Sequence, residues 1–290
     1  MFARLFVYFQ YVLPKYWITA VVYRIARIRN VAIKDFLITR FIAHFKVDVK
    51  DIRLAVPGDF ATFNDFFIRE LDGNTRPVNF GKAAIVSPVD GTVSSAGTIK
   101  RDTIFQAKGL HYSLDDLLAT NLQEARRYVD GEYATIYLAP HNYHRVHAPF
   151  GGQLVAANYI PGTLFSVNAA TTAMVPDLFC RNERLSLHFD SATGPYVLIF
   201  VGALNVGSIS TPWTGEMRPR HRGVVESIEL GTDARARDSL VVDKGALLGW
   251  FNMGSTVVIL FPARTCTWNT KLTSGAKVRM GESIGTVAEK

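Results

Sequence analysis

The sequence predicts an α+β fold in which a β-rich domain follows a short arm of amphipathic helices. Three observations predict it. Within residues 1–47, apolar residues recur at helical spacing with basic residues on the other side. Beyond residue 62 the texture changes to short β-rich runs broken by Gly and Pro. No long linker, low-complexity tract or internal repeat divides residues 62–290. The boundaries read from this pattern are an arm over 1–60 and a main domain over 61–290. With 290 residues, 48% of them hydrophobic, the chain can bury a large core, and 20% charged residues are too few for a disordered one. Cys180 and Cys266 stand far apart with no CxxC spacing, which suits a reducing compartment better than a disulfide framework.

The arm begins with an apolar stretch from Leu5 to Pro14, interrupted by Gln10. A second runs from Tyr16 to Tyr23. Neither reaches the roughly 20 uninterrupted apolar residues of a spanning helix. Residues 16–29 read as an amphipathic helix, with Ile18, Val21, Val22, Ile25 and Ile28 on one side and Arg24 and Arg27 on the other. Residues 33–46 repeat the theme, Phe36, Leu37, Phe41 and Phe45 facing away from Lys34, Arg40 and Lys46. Residues 1–47 hold eight bases against one acid, Asp35, so they carry the entire net charge of +7. Such a basic arm would serve a nucleic-acid binder, but its apolar faces point instead to a helix lying among lipid headgroups. An ordinary helical layer packed on a core would show the same stripes. No secretory signal is evident, so the expected location is peripheral, on the cytoplasmic side of the inner membrane.

In the main domain, Thr62 is placed to cap a helix over 63–71. Strands are expected at 84–87, 92–98, 132–138, 153–160, 197–203, 224–230 and 255–261, and helices at 113–120 and 122–128.

Three stretches carry chemically useful groups. In Ser87-Pro88-Val89-Asp90-Gly91, the Asp-Gly pair reads first as a hairpin turn, which would account for Asp90 without catalysis. His141, His144 and His147 put three of the seven histidines within seven residues. Metal binding and acid–base chemistry are both open to them, although no HExxH pattern is present. On a regular strand, residues three apart face opposite sides, so a common site for His144 and His147 requires a bend or bulge. The third stretch is Phe251-Asn252-Met253-Gly254-Ser255-Thr256, which opens onto a strongly apolar run. A Gly bend entering a strand is the ordinary reading. The chemical one is that Gly254 leaves its carbonyl open and its backbone free to strain, with the Ser255 hydroxyl adjacent. Attack within one chain gains an effective concentration of roughly 10⁵ M or more.

Taken with Phe63-Asn64-Asp65-Phe66-Phe67-Ile68-Arg69-Glu70-Leu71, Gln106-Ala107-Lys108-Gly109, Tyr112-Ser113-Leu114, Tyr143-His144-Arg145-Val146-His147, Pro161-Gly162-Thr163-Leu164-Phe165-Ser166-Val167-Asn168, Asn182-Glu183-Arg184 and Gly254-Ser255-Thr256, these stretches closely resemble the proteobacterial-type phosphatidylserine decarboxylases. That family is pyruvoyl-dependent, and the resemblance covers nearly the whole chain in order.

The resemblance implies a catalytic role for the β-rich domain and a membrane-binding role for the arm. It makes Asp90, His147 and Ser255 a self-cleavage triad. His147 takes the proton of Ser255, and Asp90 holds the imidazole. Attack on Gly254 converts amide to ester, and elimination and loss of ammonia turn Ser255 into a pyruvoyl group. Residues 1–254 would become a β chain and 255–290 an α chain, a heterodimer from one precursor with further dimerisation left open. The pyruvoyl cofactor would form a Schiff base with the amine of phosphatidylserine in an anionic membrane and act as electron sink for the departing CO2. His144 is the implied proton donor, Ser166 and Val167 the implied phosphate contacts, and no metal is called for. Two further enzyme readings share these residues: a pyruvoyl decarboxylase of a soluble amino acid, and a serine hydrolase that stays uncut. A membrane-bound module whose histidines hold a metal is the non-enzymatic alternative.

Overall fold

The computed structural model describes residues 2–119, 122–205, 208–220, 223–231 and 238–288. The fold is α+β, mostly sheet with few helices. Three helices form the arm: α1 (Phe2–Val12), α2 (Lys15–Ala26) and α3 (Val31–Phe45). Asn30 caps α3 by accepting from Ile33 N–H at 3.2 Å, and Lys46 ends it in a left-handed conformation, φ 54°. α4 (Phe63–Phe67) is capped by Thr62 as its sequence implies, but stops well short of residue 71. The chain leaves the helix at Ile68, and Arg69 turns inward to donate to the carbonyls of His141 and Asn142 at 3.0 and 3.1 Å.

The arm is built onto the rest of the molecule. Val7 enters the main core. Gln10, fully buried, donates to Thr171 Oγ1 at 3.1 Å and accepts from Ser166 N–H at 2.7 Å. Phe41 of α3 packs edge-on against Phe63, Phe66 and Phe67, so a second, smaller core spans the junction of arm and main domain. Burying each such ring contributes about 1.5–3 kcal/mol. No single helix among the described residues is long and apolar enough to cross a membrane, and α1 and α2 meet at 95°.

The main sheet is antiparallel. Its order is Glu226–Ser227, Gly152–Ile160, Arg184–Ser191, Gly194–Val201, Ser255–Phe261, Glu132–Leu138, Gly91–Thr98 and Lys277–Val278, with Val241–Val242 also paired to Gly152–Ile160. Ser255–Phe261 lies in the middle and is buried throughout, as expected of a β-branched run with no polar alternation. A four-stranded sheet, ordered Gly215–Met217, Ile209–Thr211, Leu247–Phe251 and Arg145–His147, lies against it through the Phe200–Phe251 ring contact at 5.2 Å. Ala84–Val86, Ser283–Val287 and Cys266–Trp268 form a third sheet.

Two expectations are corrected. The run 224–230 supplies only Glu226–Ser227, because Val224 is 80% exposed and has no apolar surface to meet. Asp90-Gly91 is not the turn of a hairpin. It joins Ala84–Val86 in one sheet to Gly91–Thr98 in another, and Gly91 is required because a Cβ there would lie 2.6 Å from the Tyr137 carbonyl oxygen.

Candidate active site

The Gly254–Ser255 bond lies where a tightly held loop enters the central strand. Asn252 secures the loop. Its side chain donates to Ser208 Oγ at 2.8 Å and Ser210 Oγ at 3.0 Å, and accepts from Asn64 Nδ2 of α4 at 3.0 Å. Ser255 begins the strand paired to Leu138. With both ends fixed, the backbone between them distorts, and Met253 takes φ 143°, which an L-residue rarely adopts. The strain expected at Gly254 thus falls one residue earlier. A Cβ on Gly254 would meet only Leu138 O at 3.6 Å and His144 Cε1 at 3.8 Å. The glycine is therefore approachable, and an imidazole lies on the side its Cβ would occupy.

That imidazole is fully buried and stacks on Phe67, centroids 4.1 Å apart. His144 Nε2 faces the Pro140 carbonyl at 3.4 Å and so carries the ring proton, while Nδ1 has no partner among the described residues. Burial, reinforced by the Arg69 guanidinium, holds its pKa down at about 3. His144 is therefore a neutral ring with a free lone pair. Ser255 Oγ, also buried, likewise has no partner among the described residues.

His147 lies at the end of the Arg145–His147 strand. Its Nδ1 donates to the Gly245 carbonyl at 2.8 Å, leaving Nε2 as acceptor beside the Tyr143 hydroxyl at 3.1 Å. Burial lowers its pKa, and the Asp90 charge opposes that shift. Asp90 is gripped elsewhere: Arg76 Nε donates to Oδ1 at 2.9 Å, Nη2 to Oδ2 at 2.7 Å, and Met280 N–H to Oδ1 at 2.9 Å. Arg76 also holds Asp51 at 2.9 Å. Asp90 makes no hydrogen bond to His147 among those of the described residues. The structure sets His144 on the Cβ side of Gly254 and His147 near enough to Asp90 to feel its charge. His144 precedes the strand, and a register shift lies opposite, between Leu247 and Gly249.

Ser166 and Val167 lie in the segment under α1. The Ser166 amide is taken by Gln10, the Phe165 amide by Asn182 Oδ1 at 2.9 Å and the Thr163 amide by the Arg181 carbonyl at 2.6 Å. Val167 is buried. The Asn252 clamp has no local sequence signature, since its partners come from residues 64, 208 and 210.

An apolar cleft of about 340 Å³ opens between α2, α3 and α4. Val22, Ile25, Leu37, Phe41 and Phe63 line it, and Met253 forms part of its wall. It connects the arm to the loop that bears the strained bond.

The profile of the family described as "Phosphatidylserine decarboxylase" matches residues 63–286, and one described as "PSD" matches residues 5–46. Proteins named "Phosphatidylserine decarboxylase proenzyme" are similar over nearly the whole chain. The one from Chromobacterium violaceum is 44% identical over 285 residues, covering 98% of this chain and 99% of its own. That of Bordetella pertussis is 41% identical over 281 residues, covering 97% and 94%. That of Legionella pneumophila strain Lens is 40% identical over 279 residues, covering 96% of each.

Proposed function

Because the chain belongs to the phosphatidylserine decarboxylase family, we propose that it cuts itself between Gly254 and Ser255 and then converts phosphatidylserine to phosphatidylethanolamine and CO2. It is an enzyme of the decarboxylase class. The observation that carries the self-cutting is the buried Ser255 hydroxyl, without a partner among the described residues, beside an open glycine and behind a strained Met253.

The chain's own groups suffice for the first step. Ser255 Oγ attacks the Gly254 carbonyl carbon, the Gly254–Ser255 amide bond breaks, and the freed amine stays on residue 255. Strain at Met253 is relieved as the carbonyl carbon becomes tetrahedral and the bond opens. His147 is the proposed base. Its Nδ1–H is fixed on Gly245, its lone pair is at Nε2, and Asp90 favours the charged form once the proton arrives. A specific observation favours a second assignment, in which His144 takes the proton, since its imidazole lies on the Cβ side of Gly254 and its Nδ1 has no partner among the described residues.

Ser255 fits the serine from which a pyruvoyl group forms: it is buried, begins the central strand, and its hydroxyl has no hydrogen bond among the described residues. That group would supply the conjugated carbonyl that accepts the electron pair released with CO2. His144, neutral at rest, can donate only a proton it has first taken up. The proposed sequence is that Nδ1 accepts a proton from the substrate's ammonium and returns it to the α-carbon after CO2 leaves.

The arm supports a membrane-borne substrate. Leu5, Tyr8, Val12 and Trp17 are between 66% and 75% exposed. Arg4, Arg24 and Arg29 are exposed beside them. We read this surface as seated peripherally on the anionic cytoplasmic leaflet, with the cleft beside Met253 leading from it to the site.

Intact-mass measurement of the purified protein tests the central step. The expected result is two chains, 1–254 and 255–290, the second with a blocked first residue. A fully active uncut chain would refute it.

A further inference from the structure

The Asn182-Glu183-Arg184 stretch has no role in the chemistry above, yet it ends one strand away from Ser255. Val201 pairs with Arg184 on one side and with Thr256 on the other. One residue further, Gly202 N–H donates to the Glu183 carbonyl at 2.9 Å, and the same register sets Gly202 opposite Ser255. Residues directly opposite each other place their side chains on the same face. Glu183, Gly202 and Ser255 therefore make a row on one face of the sheet, with a glycine in the middle. Tyr159, paired with Leu185, lies on that face as well, and its hydroxyl donates to Glu183 Oε2 at 2.8 Å.

The carboxyl leans along this row. A Cβ at Gly202 would lie 2.6 Å from Glu183 Cγ and 2.7 Å from Oε1, so the acid occupies the space above the glycine, on the way to Ser255. Opposed Cβ positions are about 4.5–5.5 Å apart. Oε1 and the Ser255 hydroxyl make no direct hydrogen bond, and the space over Gly202 that separates them is of a size that one water spans. Glu183 Oε1 and Ser255 Oγ are both fully buried, and neither has a partner among the described residues. A single bridging water would satisfy both.

Burial pushes the Glu183 acid up to about 8, so it is protonated at neutral pH. When the Tyr159 hydroxyl donates to Oε2, Oε1 is the oxygen left to carry the acid proton. The other groups facing it are Tyr159, Tyr16 of α2, and Arg220, whose guanidinium lies 5.4 Å from the Tyr159 ring centroid. Both tyrosines are shifted upward, chiefly by burial, so neither changes charge near neutral pH.

We propose that Glu183 is a positioning residue for Ser255, its acid donating from Oε1 across Gly202, through one water, to the Ser255 oxygen and fixing the hydroxyl for attack on Gly254. The proposal rests on the self-cutting reading above. Ionisation removes the donor and sets a negative charge beside the hydroxyl that must give up its proton to attack.

The test is the rate of cutting of the full chain made by cell-free synthesis, followed by mass from about pH 6.5 to about pH 9. Parent cutting should slow as pH rises through about 8. Glu183→Gln keeps a donor that cannot ionise, and should cut at near the parent rate without that slowing. Glu183→Ala should cut about tenfold more slowly or worse, and Gly202→Ala, which pushes the carboxyl aside, should do likewise. If Glu183→Gln retains the parent's alkaline slowing, the proposal is overturned even if the alanine variants fail to fold. Ser255→Ala separates the two readings. Cutting in that variant would end the self-cutting reading. An uncut Ser255→Ala alongside Glu183 and Gly202 variants that behave as the parent at every pH would end this proposal alone.

Discussion

Glu183 also makes a thermodynamic prediction that needs no catalysis. Its acid has an ordinary pKa of 4.5 and stands at about 8 in the fold. A carboxyl raised in this way leaves stability undiminished below 4.5. It withdraws stability as pH rises from there, where the unfolded chain ionises first, until the folded form ionises near 8. At pH 7 the gap of about 2.5 units, at 1.36 kcal/mol each, amounts to about 3 kcal/mol lost, against less than about 1 kcal/mol at pH 5. Glu183→Gln retains the shape and can still accept from Tyr159, but has no such term. In a chain kept whole by Ser255→Ala, Glu183→Gln should therefore raise the melting temperature at pH 7 by about 5 °C, since unfolding entropy scales with chain length. The gain should shrink on moving to pH 5. Differential scanning calorimetry across this range reads it directly. A gain that is the same at pH 5 and pH 7, or a loss at pH 7, would mean that Glu183 is not held neutral and would refute the reasoning.

Three other predictions test different parts of the molecule. Under the first assignment of the histidines, His147→Ala should stay uncut, while His144→Ala should cut and then decarboxylate poorly; denaturing gels and CO2 release distinguish them, and an uncut His144→Ala makes His144 the base. Arg76→Ala strips Asp90 of a two-pronged partner and leaves it buried with only Met280 N–H, so it should destabilise by about 3 kcal/mol, read as a lowered urea midpoint. An unchanged midpoint would count against a structural role for the pair. Replacing Arg24 and Arg29 by Ala should weaken sedimentation with anionic vesicles, as should added salt, while turnover of a water-dispersed short-chain substrate holds. Arg27 is spared in that design because it is bound to Glu216 at 2.7 Å.

How much of this was legible beforehand depended on how local the cause was. The strands Glu132–Leu138 and Ser255–Phe261 are largely apolar runs that begin after a glycine and end at or just before a proline, and their limits could be read directly. Arg184–Ser191 escaped notice because Arg184, Ser186 and His188 interrupt it. The fold buries all three, and Arg184 spends its donors on carbonyls such as Leu117 O at 2.6 Å. Gly254, Ser255 and the histidine cluster were visible as motifs. Which histidine meets Gly254 was not, since that depends on α4 supplying Phe67 as a platform. The clamp on Asn252 and the row from Glu183 to Ser255 are products of strand register between distant segments, and no nearby pattern announces them.

The placement of the Ser255–Phe261 strand has a consequence for the order of events. Ser255 takes up its position only when that strand has partners on both sides, Glu132–Leu138 and Gly194–Val201. Lys277–Val278 and Ser283–Val287, further along the same segment, are stitched to Gly91–Thr98 and Ala84–Val86. A cut before Ser255 would therefore come after assembly of the sheet and would release nothing. The short piece would remain as the middle of a structure that the long piece cannot close alone. Once the two were separated in denaturant, rebuilding the sheet would require two molecules to meet where the original folding required one. Cutting would thus be a self-administered inspection: chains that mispair their central strands stay whole, and only correctly built ones are committed, irreversibly, to the working form.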